Sequence, residues 1–219
     1  MLVDIAELTL SRREIYRAMG YGSTTPEQDI CALVETLLEE VMTIAHPSLH
    51  YSIAKCQLSG TTLITGGESF DVGETIAKLL NGSNSAALFV ATAGIEVQRW
   101  LDRITNSGDT LNMFIADAIG STLVESVGDL MERKIEAEIG SLLHTNRFSP
   151  GYCGWQIEQQ QRLFAAMADG VCGVELNANS LMYPIKSISG VIGIGESVVR
   201  KKYGCSICSR ADCYMRKKH

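Results

Sequence analysis

The chain has 219 residues, 46% of them hydrophobic and 20% charged, a balance that excludes extended disorder and is sufficient for a sizeable core. No apolar run approaches the roughly 18 residues that cross a bilayer, and the opening "MLVDIAELTLSRRE" places acids inside its apolar stretch, unlike a signal peptide. The net charge of −6 is uneven: residues 200–219 hold seven Lys/Arg against Asp212, so the first 199 residues stand at −12, which argues against general nucleic-acid binding.

A cytoplasmic protein is expected, with its seven cysteines read in a reducing compartment where burial, metal or redox roles outrank disulfides. In chain order, a short arm precedes a helix that starts at Ser11 and stops near Gly20 and Gly22. A second helix is expected with Thr25 as cap and Pro26 at its first position, ending before Pro47. Its Cys31, Val34, Leu37, Leu38 and Val41 recur at helical spacing. Two strand-like runs follow, "LHYSIAKCQL" and "TTLIT", then the short helix "GETIAKLL". "SAALFVATAG" reads as a buried strand and leads into the helix "IEVQRWLDRIT". Asp109 opens the longest helical pattern, to about Leu143. Gly120 and Gly128 inside it leave room for another element to approach.

Beyond it lie "HTNRFSPGYCGW", the helix "QIEQQQRLFAAMAD", and a Gly-rich run to residue 195 that suggests strands and tight turns. The expected class is α+β: one domain with a mostly antiparallel twisted sheet packed against long helices. There is no phosphate loop and no nucleophile elbow. "GVIGIGES" lacks the following helix that a dinucleotide site requires. The four histidines form no ligand pair at helical spacing.

The stretch around Arg147 is different. In Arg147-x-x-x-Gly151-Tyr152 the guanidinium offers a planar fork for a carboxylate. Gly151 allows close backbone approach, and Tyr152 supplies a flat face with a polar tip. Those features suit a zwitterionic ligand bearing a heterocycle, although a structural turn is the plainer reading of the pattern alone.

Four ordered blocks over residues 86–194 resemble the activation (reactivation) domain of cobalamin-dependent methionine synthase and its free-standing relatives. They are "ALFVATAGIEVQRWLDR", "IADAIGSTLVESVGDLMER", "RFSPGY" and "SLMYPIKSISG". The resemblance implies an S-adenosylmethionine site. Arg147 would grip the methionine carboxylate, the backbone around Gly151 would hold adenosine, and Tyr152 would lie between ligand and corrin. Glu125 matches the family's acid on the long helix. Ser189 belongs to the ligand-binding block, where Met182, Pro184, Ser187 and Gly190 line or support the cleft. The aromatics that follow Ser-x-Ser-Gly in the family are replaced here by "VIGIG".

No catalytic side chain is implied, because methyl transfer is chemistry of the cobalamin. The chain has no Asp-x-His-x-x-Gly. Cobalamin is therefore expected on a partner, a corrinoid protein or a methionine synthase lacking this domain, together with a flavodoxin- or ferredoxin-like electron donor. On this reading residues 1–85 are the N-terminal helical and strand region of the same domain. Residues 86–199 form the activation-like core, and residues 200–219 a basic, Cys-rich tail.

In that tail Cys205, Cys208 and Cys213 have spacing suited to an iron–sulfur cluster or zinc, with Cys153 as candidate fourth ligand. Three reduced thiols in a solvated terminus are the plainer alternative. Two rival functions remain open at this point. One is a non-catalytic docking or electron-transfer accessory of a corrinoid protein, and the other a methyltransferase acting on a small molecule.

Overall fold

The computed structural model describes residues 1–167 and 170–200. Helices α1 (Arg12–Ala18) and α2 (Gln28–Ile44) open the chain. The second begins two residues later than expected. Glu27 takes the cap position without a side-chain bond, and Pro26 stays outside, its carbonyl 3.4 Å from Cys31 Sγ. Strand β1 (Ser48–Ser59) turns at Gly60 into β2 (Thr62–Thr65), which pairs with it antiparallel, Cys56 opposite Thr65.

Gly66 and Gly67, both at positive φ, then make the two-residue hairpin into β3 (Glu68–Asp71). Leu63 faces Phe70 across that pair. Helix α3 (Gly73–Leu80), β4 (Ser85–Thr92), α4 (Ile95–Ser107) and α5 (Thr110–Ile139) follow. Gly140, at φ 63°, ends α5 four residues before the sequence pattern does. Leu143–His144 becomes β5 instead, followed by a 3-10 turn (Ile157–Gln159), α6 (Gln160–Ala166), and strands β6 (Glu175–Leu176), β7 (Met182–Tyr183) and β8 (Ser187–Gly195).

The six-stranded sheet runs β3-β2-β1-β4-β8-β5, and β6 pairs with β7 in a separate two-stranded ribbon. The pairs β1–β2, β2–β3, β5–β8 and β6–β7 are antiparallel. This is the α+β, mostly antiparallel architecture expected from the sequence. β4 and β8 are buried nearly throughout, which explains their almost uninterrupted apolar and glycine sequences.

Contacts gather into two units. The first comprises Met1–His50, Val90–Lys134 and Gly170–Ile188, and the second the remaining described residues. The core of the first unit joins Val34, Leu38 and Val41 of α2 to Val97 and Trp100 of α4 and to Ile115, Ile119 and Leu123 of α5. Between Ile115 and Glu132, α5 is buried on almost every face. Only Asp117, Glu125 and Asp129 are exposed, and together with half-buried Ser121 they follow one another at i, i+4 along a single stripe. In the second unit Leu63, Phe70, Leu80, Phe89 and Trp155 are among the fully buried side chains.

Candidate functional site

The Arg147 segment is laid along β8 by its own backbone. Thr145 N–H donates to the Gly193 carbonyl at 2.8 Å, and Gly193 N–H donates to Thr145 Oγ1 at 2.9 Å. Phe148 and Val191 exchange two bonds of 2.9 and 2.8 Å. Arg147 therefore sits between two fixed points, half-buried, with its Nη1 shielded from solvent. Gly190 is required for this approach: a Cβ there would overlap the Phe148 carbonyl oxygen.

After Pro150 the chain makes a tight, self-closed turn. Gly151 N–H donates to the Trp155 carbonyl at 2.7 Å, and Trp155 N–H donates to the Tyr152 carbonyl at 2.9 Å. Gly151 (φ 91°), Cys153 (φ 51°) and Gly154 (φ 92°) all lie in the left-handed region, so three of its five residues hold a conformation that glycine favours. The turn buries Trp155 to 1% exposure, and its ring meets Phe70 edge-on with centroids 6.0 Å apart. By contrast Tyr152, three residues earlier, is 64% exposed. An exposed aromatic on a rigidly folded turn can stack on a planar ligand without reorganising, and the neighbouring guanidinium can hold a carboxylate.

The other residues singled out from the sequence fall as follows. Ser189 lies in the same unit as Arg147, Gly151 and Tyr152 but is buried, and its hydroxyl donates to Gln160 Oε1 at 3.2 Å. It therefore supports β8 from within. Glu125 belongs to the first unit and is exposed on the polar stripe of α5. On the same stripe, two turns and one turn before it, Lys186 Nζ donates to Asp117 Oδ1 at 2.6 Å and to Ser121 Oγ at 2.9 Å. The lysine stem lies against Gly120, so this is the close approach that glycine was expected to allow.

Pro184 is buried behind a cis Tyr183–Pro184 peptide, and Met182 is half-buried. Ser187 Oγ stands 2.7 Å from the Pro184 carbonyl and 2.8 Å from Thr92 Oγ1, fixing the turn into β8. Cys153 is half-buried in the Tyr152 turn. Cys205, Cys208 and Cys213 lie outside the described residues. Among the described residues no group of three or more His, Cys, Asp or Glu is placed to hold a metal.

Sequence reasoning passed over three glutamines. Gln98, buried on α4, accepts from Ile185 N–H at 2.8 Å and donates to Asp102 at 2.9 Å, tying down the connection from β7 to β8. Gln160 receives Ser189, and Gln159 bonds the backbone of Asp71. Glutamine on a helical pattern normally reads as a solvated face, so the sequence held no signal for them. The first unit also contains an open cleft of about 370 Å³ lined by Leu101, Met113, Phe114 and Ile185, which includes none of the predicted site residues.

A family model described as vitamin B12 dependent methionine synthase, activation domain, matches residues 72–219. The chain belongs to that family. The match is wider than the four sequence blocks over residues 86–194. It takes in Glu125, Arg147, Gly151, Tyr152 and Ser189, and it continues through the cysteines of the tail. A solved structure described as the MetH reactivation domain bound to AdoHcy is similar in fold, with a TM-score of 0.67 at 11% identity. The superposition covers 93% of this chain and 79% of the other. It extends the likeness of this activation domain over most of residues 1–71, which the family model does not reach. No curated protein matches the chain. No helix among the described residues is long and apolar enough to cross a membrane.

Proposed function

We propose that this activation domain binds S-adenosylmethionine through Arg147, the backbone around Gly151, and Tyr152; Glu125, on α5, is the residue that matches the acid of the family's long helix. In doing so the domain supports reductive methylation of cobalamin carried by a partner corrinoid protein, a methionine synthase lacking this domain or a related methyltransferase. The observation that carries the reading is the Arg147–Trp155 segment: pinned to β8 at two points, closed by its own hydrogen bonds, and presenting Tyr152 at 64% exposure. AdoHcy, named for the solved relative, differs from S-adenosylmethionine by the transferable methyl group. A half-buried guanidinium suits the amino-acid carboxylate.

Reduced cobalamin on the partner would supply the nucleophile that takes the methyl group. The work of this chain is position: Arg147 holds one end of the donor, the turn holds the other, and Tyr152 shields the reacting face from water. Ser189 acts one layer behind, through Gln160. A flavodoxin- or ferredoxin-like donor would supply the electron, in the cytoplasm. The reading extends to the tail, where Cys205, Cys208 and Cys213 would supply three ligands for iron–sulfur or zinc, with Cys153 as candidate fourth. Support there is the cysteine spacing.

Calorimetry with S-adenosylmethionine tests the assignment. The wild-type chain should bind, and Arg147→Ala should weaken binding about 10- to 100-fold, the usual cost of losing a charge-assisted contact. Unchanged affinity in the variant would overturn it.

A further inference from the structure

The turn that carries Tyr152 is fastened from behind by one short segment, residues 69–73, all within the second unit. The side-chain amide of Gln159 pairs with both backbone groups of Asp71. Asp71 N–H donates to Oε1 at 2.9 Å, and Nε2 donates to the Asp71 carbonyl at 3.0 Å. β3 is the edge of the sheet, so its outward backbone groups have no further strand, and Gln159 takes that place. Beside it, the Phe70 ring meets Trp155. Gly73 packs so closely under the turn that a Cβ would stand 3.0 Å from the Gly154 carbonyl carbon and 3.2 Å from the Cys153 carbonyl oxygen.

This fastening answers a physical need. A turn with three positive-φ residues, one of them Cys153, stores backbone strain on the order of 1 kcal/mol or more and persists only where its surroundings hold it. A binding loop that is folded before the ligand arrives also avoids the ordering cost that otherwise subtracts from affinity. We propose that Gln159 is a positioning residue: by clamping Asp71 at the sheet edge it fixes the Gly151–Trp155 turn, and with it Tyr152, in the geometry that receives the methyl donor. The clamp follows from geometry alone, and its consequence for ligand binding rests on the S-adenosylmethionine reading.

The test uses the full chain with Gln159→Ala and, should that variant fold poorly, the isosteric Gln159→Glu, which keeps an acceptor for Asp71 N–H and loses the donor. Losing two neutral hydrogen bonds should speed amide exchange at Gly151 and Trp155 by about tenfold. The amides of β4 and β8 should be unaffected. S-adenosylmethionine affinity should fall about five- to tenfold in Gln159→Ala and by less in Gln159→Glu. In a Tyr152→Ala background the same substitution should have little further effect, because the clamp acts through that turn.

Unchanged exchange at Gly151 and Trp155 overturns the clamp whether or not the protein binds the nucleoside. Faster exchange with unchanged affinity, or full additivity with Tyr152→Ala, overturns the positioning role. Absence of binding by the wild-type chain defeats the ligand reading, and exchange then decides the clamp on its own.

Discussion

Ser189 Oγ donates to Gln160 Oε1 across 3.2 Å, and both residues are at most 2% exposed. This bond ties α6 to the β8 residue that the family resemblance associates with the ligand. Ser189→Ala removes the donor from a buried acceptor, which should cost about 1 kcal/mol of stability. Denaturant melts would show that loss, while S-adenosylmethionine affinity should change less than in Arg147→Ala. An affinity loss equal to that of Arg147→Ala would mean that Ser189 touches the ligand directly.

Gly190, the next residue, lies under the Phe148 carbonyl. Gly190→Ala should be strongly destabilising, about 3 kcal/mol, because the obstacle is backbone held in a ladder and cannot rotate away. A useful control is Gly140→Ala, where φ is 63° but a Cβ meets nothing within 4 Å. That change should cost only about 1 kcal/mol of backbone strain. Equal midpoint shifts in urea for the two variants would contradict the steric account.

Gly120 poses the opposite competition. It sits inside α5 at ordinary helical φ, so alanine gains about 1 kcal/mol of helix propensity. The new Cβ would stand 3.1 to 3.4 Å from the Lys186 stem, a flexible chain that can shift by a few tenths of an ångström. Its Nζ bonds to Asp117 and Ser121 resist that shift. The two effects nearly cancel, and Gly120→Ala should change stability by less than about 0.5 kcal/mol. A loss above 2 kcal/mol would show that the lysine cannot yield.

Where a long segment carried a consistent pattern, its structure was legible in the residues. α2 shows four buried side chains at helical spacing, β4 is apolar from Ala86 to Ala91, and the Arg147-x-x-x-Gly151-Tyr152 spacing marked the loop. What escaped were elements created by a partner. β3 has only Phe70 buried among four residues and exists because β2 pairs with it. β5 is two residues that looked like the end of a helix until Gly140 turned the chain toward β8. At the site, the loop was visible because it combines unusual residue types. Its supports were not, because Gln159 and Gln160 acquire their meaning only from Asp71 and Ser189, far away in sequence.

Tyr16 and Tyr51 should titrate late. A hydrogen bond with Cys31, and then burial, push the Tyr16 phenol up to about 12. Burial, with a 2.8 Å bond donated to Glu138, does the same for Tyr51, also to about 12. In the unfolded chain both ionise near 10. Between those values the folded protein holds more protons than the unfolded one, so stability falls as pH rises. The contribution is complete below about pH 10 and lost as pH passes 12. Tyrosinate absorbance during an alkaline titration should still be rising as pH approaches 12, and that late rise should be smaller in Tyr51→Phe. That variant should also show a shallower fall in stability between pH 10 and 12. A late rise in the folded protein that is the same in wild type and Tyr51→Phe would contradict the contacts described for Tyr51.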